Sequence, residues 1–184
     1  VRKFVLDVAG YLPNLLAGEE TGVMDLPVRP EQSERSWRAT GTVCYDNSFL
    51  HPYTDPLARG EEIDLHVICS NEAWYLDSWE MDQMICMSRM IAIATARPVI
   101  RATNSGVSCI LDATGNELGR VQLDGVDRQV PGFLALEVPV PPREASVTPF
   151  CYFRGPLAWI FLLLAGVAAW GSARSGGYQE GAWE

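Results

Sequence analysis

The chain has 184 residues, with 23 acidic against 14 basic side chains and a net charge of −9. That length suffices for one domain with a sizeable core, and the acidic balance excludes a nucleic-acid partner, since nothing here would neutralise a phosphate backbone. The five cysteines, Cys44, Cys69, Cys86, Cys109 and Cys151, include no CxxC pair, so neither a metal site nor a disulfide framework is implied, and most should be small buried hydrophobes.

The chain opens on Val1 and reads at once like mid-domain sequence, which implies a fragment or a processed product. Residues 1–16 are apolar, interrupted by Gly10 and Pro13. Residues 17–38, rich in Glu, Arg and Pro, read as a long surface loop. Residues 40–45 (TGTVCY) and 63–69 (IDLHVIC) are β-prone runs of the kind buried in a sheet. The spacing predicts a helix over 77–96, with Asp77 as cap and Glu80 as its capping-box partner. Arg97-Pro98 ends it, because proline disfavours helix in the residue before it. Met81, Met84, Ile85 and Met87 fall along one side and read as core. Strands follow at 99–103 and 107–112, then a Gly115-Asn116 turn into 118–123, and a last strand at 133–138 before the prolines of 139–142. Strands interleaved with a helix imply a layered α/β domain.

Residues 155–171 (GPLAWIFLLLAGVAAWG) carry no charge and lie between Arg154 and Arg174. A spanning helix wants roughly 20 apolar residues, with about 17 as the lower limit. Trp159 and Trp170 near the two ends suit interfacial anchors. A buried core helix is the alternative. The organisation expected is therefore a layered α/β domain over 1–150, a transmembrane helix over 155–171 and a polar tail over 172–184.

No GxSxG elbow, phosphate-binding loop or HExxH motif is present. His51 and His66 are the only histidines, and His66 sits inside a predicted strand, which speaks against a Cys44–His66 dyad. Cys44 leaves a strand before a turn, so its sulfur can stand at a strand's carboxyl end, where α/β sites gather. Nucleophilic attack there needs a thiolate, hence a nearby cation or base.

Val43-Cys44-Tyr45-Asp46 followed by Phe49 resembles the nucleophile motif of the nitrilase superfamily. Ser70-Asn71-Glu72-Ala73-Trp74-Tyr75, Gln83-Met84, Ser88-Arg89-Met90 and the run from Arg97 to Gly106 are similar to the apolipoprotein N-acyltransferase branch of that superfamily. Thr148-Pro149-Phe150, Arg154 and the apolar segment resemble the branch's exit into its last membrane helix. The resemblance runs from about residue 40 to about residue 170, in one order. It implies a nitrilase-like αββα sandwich, here partial, followed by a C-terminal transmembrane helix.

The resemblance also implies a Glu–Lys–Cys triad in which cysteine attacks an acyl carbonyl, lysine stabilises the oxyanion and glutamate shuttles the proton. The branch takes an acyl chain from a phospholipid, holds it as a thioester, and passes it to the N-terminal amine of a lipoprotein. It needs no cofactor and no metal, and works at the bacterial inner membrane with its catalytic domain facing the periplasm. Carried onto this sequence, Cys44 takes the nucleophile position, and Asp46 falls where the branch has an acidic residue, usually glutamate. Tyr45 and Trp74 match positions lining the acyl site, although ordinary aromatic packing would also account for Trp74. Counting back from Tyr11 places Arg2 on the lysine position, and Lys3 reaches it after a one-residue shift. Lys3, the only lysine in the chain, is the candidate taken, because a planar guanidinium does not reproduce a compact ammonium charge. Gly10 stands where the branch carries a further glutamate. Two other readings use the same residues: a carbon–nitrogen hydrolase whose thioester is resolved by water, and a degenerate nitrilase-like domain kept as a membrane-tethered binding module.

In the family the triad glutamate comes from a strand upstream of anything in this sequence. The 184-residue chain alone is therefore expected to form no acyl-enzyme thioester, and intact-mass spectrometry after incubation with phospholipid checks this.

Overall fold

Two stretches of alternating β-prone residues, each followed by a helix, produce the centre of the structure. The computed structural model describes residues 22–26, 36–76, 78–145 and 147–175. Its strands are β1 (Val23–Leu26), β2 (Trp37–Val43), β3 (Leu65–Ser70), β4 (Val99–Thr103), β5 (Cys109–Leu111) and β6 (Glu117–Arg120), and its helices are α1 (His51–Ala58), α2 (Glu80–Thr95) and α3 (Pro149–Ser175). The strands form one mixed sheet in chain order. β2, β3 and β4 are parallel, while β1 pairs antiparallel on one side and the β5–β6 hairpin extends the other. Parallel neighbours require crossovers: α1 carries the chain from β2 to β3, and α2 carries it from β3 to β4.

The register aligns Thr40 with His66 and His66 with Val99, then Thr42 with Ile68 and Ile68 with Arg101. These residues share one face, and all of them are buried. Tyr53 of α1 and Ile85, Ile91 and Ala92 of α2 pack on that face with Ile68, Val99, Val107, Cys109 and Leu111. On the opposite face Gly41, Val43, Cys69 and Ala102 are exposed. The described residues thus supply one sheet-and-helix layer pair of a nitrilase-like α/β fold.

Several sequence expectations need correcting. Residues 17–38 contain β1 and the start of β2, because Val23 to Leu26 pair with Thr40 to Trp37; Arg38 reaches Asp25 at 3.7 Å. α1 was not foreseen, since HPYTDPLA carries two prolines. Pro52 lies in the first turn, where no amide donor is required, and after Pro56 the helix runs only two residues more. α2 starts at Glu80 with Trp79 as its cap residue and no side-chain cap bond; Asp77, the expected cap, lies outside the described residues. The helix ends at Thr95, with Ala96 in a left-handed conformation ahead of Arg97-Pro98. Met81, Met84 and Ile85 are core, whereas Met87 is half-buried. Residues 133–138 form no strand. Between Pro131-Gly132 and the prolines of 139–142, Leu134 and Leu136 lie over Gly119 of β6 by side-chain packing, and Phe133 is 90 % exposed. Of the cysteines, Cys109 and Cys151 are buried, Cys44 is half-buried, and Cys69 and Cys86 are exposed.

α3 runs through residues 155–171, and the stretch Pro149–Ala173 is long and apolar enough to cross a membrane by length and composition. Only its first turns hold to the domain. Cys151 packs with Leu57 and Ile63 and its thiol lies 3.4 Å from the Ala94 carbonyl. Arg154 donates to Thr54 Oγ1 at 2.8 Å and pairs with Asp55 at 2.5 Å. Trp159 and Trp170, near the two ends of the 155–171 run, are exposed.

The core carries one buried titratable group with a clear consequence. His66 is fully buried between Thr40 Oγ1 at 2.5 Å and Thr95 Oγ1 at 3.0 Å. Burial, helped by the Arg97 charge, pushes its pKa from 6.5 down to about 3. Between those values the unfolded chain binds a proton that the folded chain refuses. Stability is therefore complete above the unfolded pKa and falls as pH drops towards the folded one. Lowering the pH from about 6.5 to about 5 should cost roughly 1.5 to 2 kcal/mol. Urea unfolding at the two pH values checks this, and His66→Gln should lose that part of the slope.

Candidate active site

β2 ends at Val43, and the next residue is the candidate nucleophile. Cys44 takes φ 55° and opens a 3-10 turn, Cys44–Ser48. A non-glycine residue in left-handed backbone costs of order 1–3 kcal/mol and persists only where its surroundings hold it. The turn lifts Cys44 off the carboxyl end of a parallel strand, half-buried, with its thiol 3.7 Å from the Asn71 carbonyl at the end of neighbouring β3.

Asn47 anchors this turn from below. It is buried, its Nδ2 donates to the Met84 carbonyl at 3.1 Å, and its Oδ1 accepts from Ser88 Oγ at 3.3 Å. Ser88 also accepts from Arg101 Nη1 at 3.3 Å. Arg101, on β4, forms an ion pair with Glu72, and both side chains are fully buried. Burial lowers the Arg101 pKa to about 10, and the neighbouring Cys109, Tyr53 and Cys44 oppose the shift; the guanidinium stays charged at neutral pH. Tyr53 packs beneath, hydrogen-bonded to Thr42 Oγ1, and burial pushes its pKa up to about 12.

Tyr45 and Asp46 follow Cys44 on the exposed side of the turn. Tyr45 is 57 % exposed and meets Phe49 edge-on at 6.0 Å between ring centroids. Trp74 lies in a second short turn, Ala73–Tyr75, just after β3, and is 81 % exposed. Burial, then Glu80, Cys44 and Tyr45, raise the pKa of adjacent Tyr75, whose hydroxyl therefore feels the nucleophile turn. Tyr45, Phe49, Trp74, Leu76 and Trp79 are all exposed and lie in the segments that follow β2 and β3, at the edge of the sheet where those strands end. Lys3, with Arg2 and Gly10, lies outside the described residues. The structure gives a Cys44–His66 dyad no support: His66 sits in register with Thr40, four residues before Cys44 and so roughly 13 Å along the strand. Among the described residues, no cluster of three or more His, Cys, Asp and Glu side chains could hold a metal ion.

Asn47, Ser88, Glu72 and Arg101 were not singled out from the sequence. One signal was available: an arginine inside the apolar run VIRAT must be buried with the strand, and a buried guanidinium needs a charged or hydrogen-bonding partner.

A cysteine on a strained turn after a parallel strand, beside a second strand's carboxyl end, is a nucleophile arrangement of the α/β type. The chain belongs to the carbon-nitrogen hydrolase family, whose model matches residues 11–125. Its relatives include proteins named apolipoprotein N-acyltransferase. That of Haemophilus influenzae is 30% identical over 148 residues, covering 77% of this chain and 26% of the relative. That of Vibrio cholerae is 29% identical over 150 residues, covering 80% and 28%, and that of Ralstonia nicotianae 30% over 97 residues, covering 52% and 18%. The chain thus spans 18 to 28% of the length of these relatives. Among solved structures, an amidase from Nesterenkonia sp. is similar at TM-score 0.41 and 15% identity, over 58% of this chain and 39% of that one. Saccharomyces cerevisiae Nit3, a member of the nitrilase superfamily, gives TM-score 0.40 and 15% identity over 58% and 38%.

Gly106 has its backbone against the Glu72 carboxylate, in space that a side-chain carbon would occupy. Gly106→Ala should therefore destabilise the protein by about 1 to 3 kcal/mol through overpacking. Thermal unfolding checks it, and an unchanged midpoint would mean that the ion pair has room to move.

Proposed function

We propose that this chain carries the nucleophile of an acyl transfer from phospholipid to the N-terminal amine of a lipoprotein. The observation that supports this best is the setting of Cys44: a strained, half-buried thiol at the edge of an exposed aromatic rim. A fatty acyl chain presented by a lipid needs apolar surface next to the reacting sulfur, and the rim supplies it. In the first step the Cys44 thiolate attacks the ester carbonyl. A carbon–sulfur bond forms, the carbon–oxygen bond breaks, and the lysophospholipid leaves as an alcohol after taking up a proton. In the second step the acceptor amine attacks the thioester. A carbon–nitrogen bond forms, the amine's surplus proton is lost, and the thiol is restored.

Lys3 is the residue to stabilise the oxyanion of both steps, with Arg2 as the alternative. The proton shuttle is a glutamate contributed from outside the described residues; Glu72 is unsuited to the part, being buried and paired with Arg101. Tyr45 and Trp74 bound the acyl chain, and Asp46, exposed beside them, faces the acceptor. α3 anchors the domain to the bacterial inner membrane on its periplasmic side, where both lipid-linked substrates are found. The family's own description as a carbon-nitrogen hydrolase favours a second reading, in which water takes the place of the amine.

The test uses the protein expressed from its full natural reading frame and supplied with phosphatidylethanolamine vesicles. A hydroxylamine-labile acyl adduct on Cys44 is expected, absent from Cys44→Ser and reduced in Tyr45→Ala and Trp74→Ala. Addition of a diacylglyceryl peptide with a free N-terminus should discharge the adduct to an N-acyl peptide. Discharge to free fatty acid alone would favour the hydrolase, and no adduct at all would sink both readings.

A further inference from the structure

The turn that carries Cys44 is held by a chain of buried polar groups drawn from four parts of the fold. We propose that Glu72, Arg101, Ser88 and Asn47 form a positioning network for the Cys44 sulfur. The inference rests on Cys44 being the nucleophile, and none of the four is expected to touch substrate.

The four are among the least exposed polar residues of the protein. Glu72 follows β3, Arg101 belongs to β4, Ser88 lies mid-way along α2, and Asn47 sits in the nucleophile turn itself. Each is joined to the next: Glu72 pairs with Arg101, Arg101 donates to Ser88, and Ser88 shares its hydroxyl proton between the Met84 carbonyl at 2.9 Å and Asn47 Oδ1 at 3.3 Å. Asn47 then donates to the α2 backbone at Met84, so the turn is tied to that helix at two points. The other end of the chain returns to the same sulfur. Glu72 directly follows Asn71, whose carbonyl is the atom facing the Cys44 thiol. The network therefore closes on the nucleophile from both sides.

A hydrophobic contact would tolerate some sliding of the turn, but a buried ion pair continued by hydrogen bonds through Ser88 and Asn47 does not. Left-handed backbone at a residue with a Cβ relaxes unless neighbouring groups prevent it. Here the only side chain of the turn that is buried is Asn47, so the restraint on Cys44 passes through it. Cutting the run anywhere should let the turn relax and move the sulfur relative to the Asn71 carbonyl and to Arg101.

The test measures carbamidomethylation of Cys44 by iodoacetamide between about pH 6 and 10, resolved by peptide mass spectrometry. It uses the protein expressed from its full natural reading frame, in detergent, with exposed Cys69 and Cys86 as internal controls. Ser88→Ala removes one hydroxyl from a helix interior that alanine favours. Arg101→Lys keeps the charge opposite Glu72 but not the fork that reaches both Glu72 and Ser88. Both variants should keep the fold while the limiting rate at Cys44 falls about tenfold and its pH–rate profile moves, with Cys69 and Cys86 unchanged. A Cys44 profile superposable on the wild type in either folded variant overturns the network. A wild-type Cys44 no more reactive than Cys69 and Cys86 instead sinks the nucleophile reading, and the network with it.

Discussion

Arg101 and Glu72 meet where neither can reach water, and this pair is the constraint around which the rest of the structure is arranged. Taking a guanidinium and a carboxylate out of solvent costs several kcal/mol per ion, and only close pairing with further hydrogen bonds offsets it. The pair therefore dictates its surroundings. It requires β3 and β4 to be adjacent and in register, with Ile68 opposite Arg101. It requires glycine at position 106, where the carboxylate takes the volume of a side chain. It also requires a hydroxyl on the buried side of α2, which Ser88 provides at 3.3 Å. Removing one partner alone would strand the other charge, at about 3 to 5 kcal/mol, a large share of a domain's total stability.

The same arrangement explains how a strained cysteine is tolerated. The left-handed turn at Cys44 costs free energy that nothing in the turn itself recovers. Asn47 supplies the recovery by hydrogen-bonding α2, and α2 is fixed by Met81, Met84, Ile85, Ile91 and Ala92 in the core. Packing energy in the helix is thus what holds the sulfur in place.

The sequence told most about the parallel centre and least about its borders. β4 came out at its own bounds, because Val99 to Thr103 is a short apolar run bounded by Arg97-Pro98 and Asn104-Ser105-Gly106. Cys44 was legible from its motif and from its place after a β-prone run. α1 was not, since two prolines in eight residues look like a loop until one sees that Pro52 needs no donor. β1 was hidden in a stretch of mixed charge, as edge strands often are, because charged residues protect an exposed edge. Residues 133–138 misled in the opposite direction: their alternation is real, but Leu134 and Leu136 use it to cover Gly119 without a backbone ladder. Ser88 stood within a quoted motif, but its role, like that of Asn47, gave no signal, since a buried polar side chain is recognisable only once its partner is known.

The helices run back against the parallel strands they connect, so the two ends of the layer have different duties. The carboxyl ends of α1 and α2 reach the edge where β3 and β4 begin, and there Asp55, Leu57 and Ala94 receive the first turns of α3. Cys44, Asn71 and the rim of Tyr45, Phe49, Trp74 and Trp79 stand at the other edge. A strand of six residues, such as β3, separates the two edges by roughly 20 Å. The apolar helix and the apolar rim are therefore distinct surfaces. In the proposed reaction this divides the work: α3 holds the domain, while the rim takes the acyl chain from its own side. An acyl chain could not reach the sulfur by following the docked turn of α3, because Arg154 and Asp55 occupy that junction with paired charges. On that proposal the exposed aromatics on the Cys44 side of the sheet are where the acyl chain would lie.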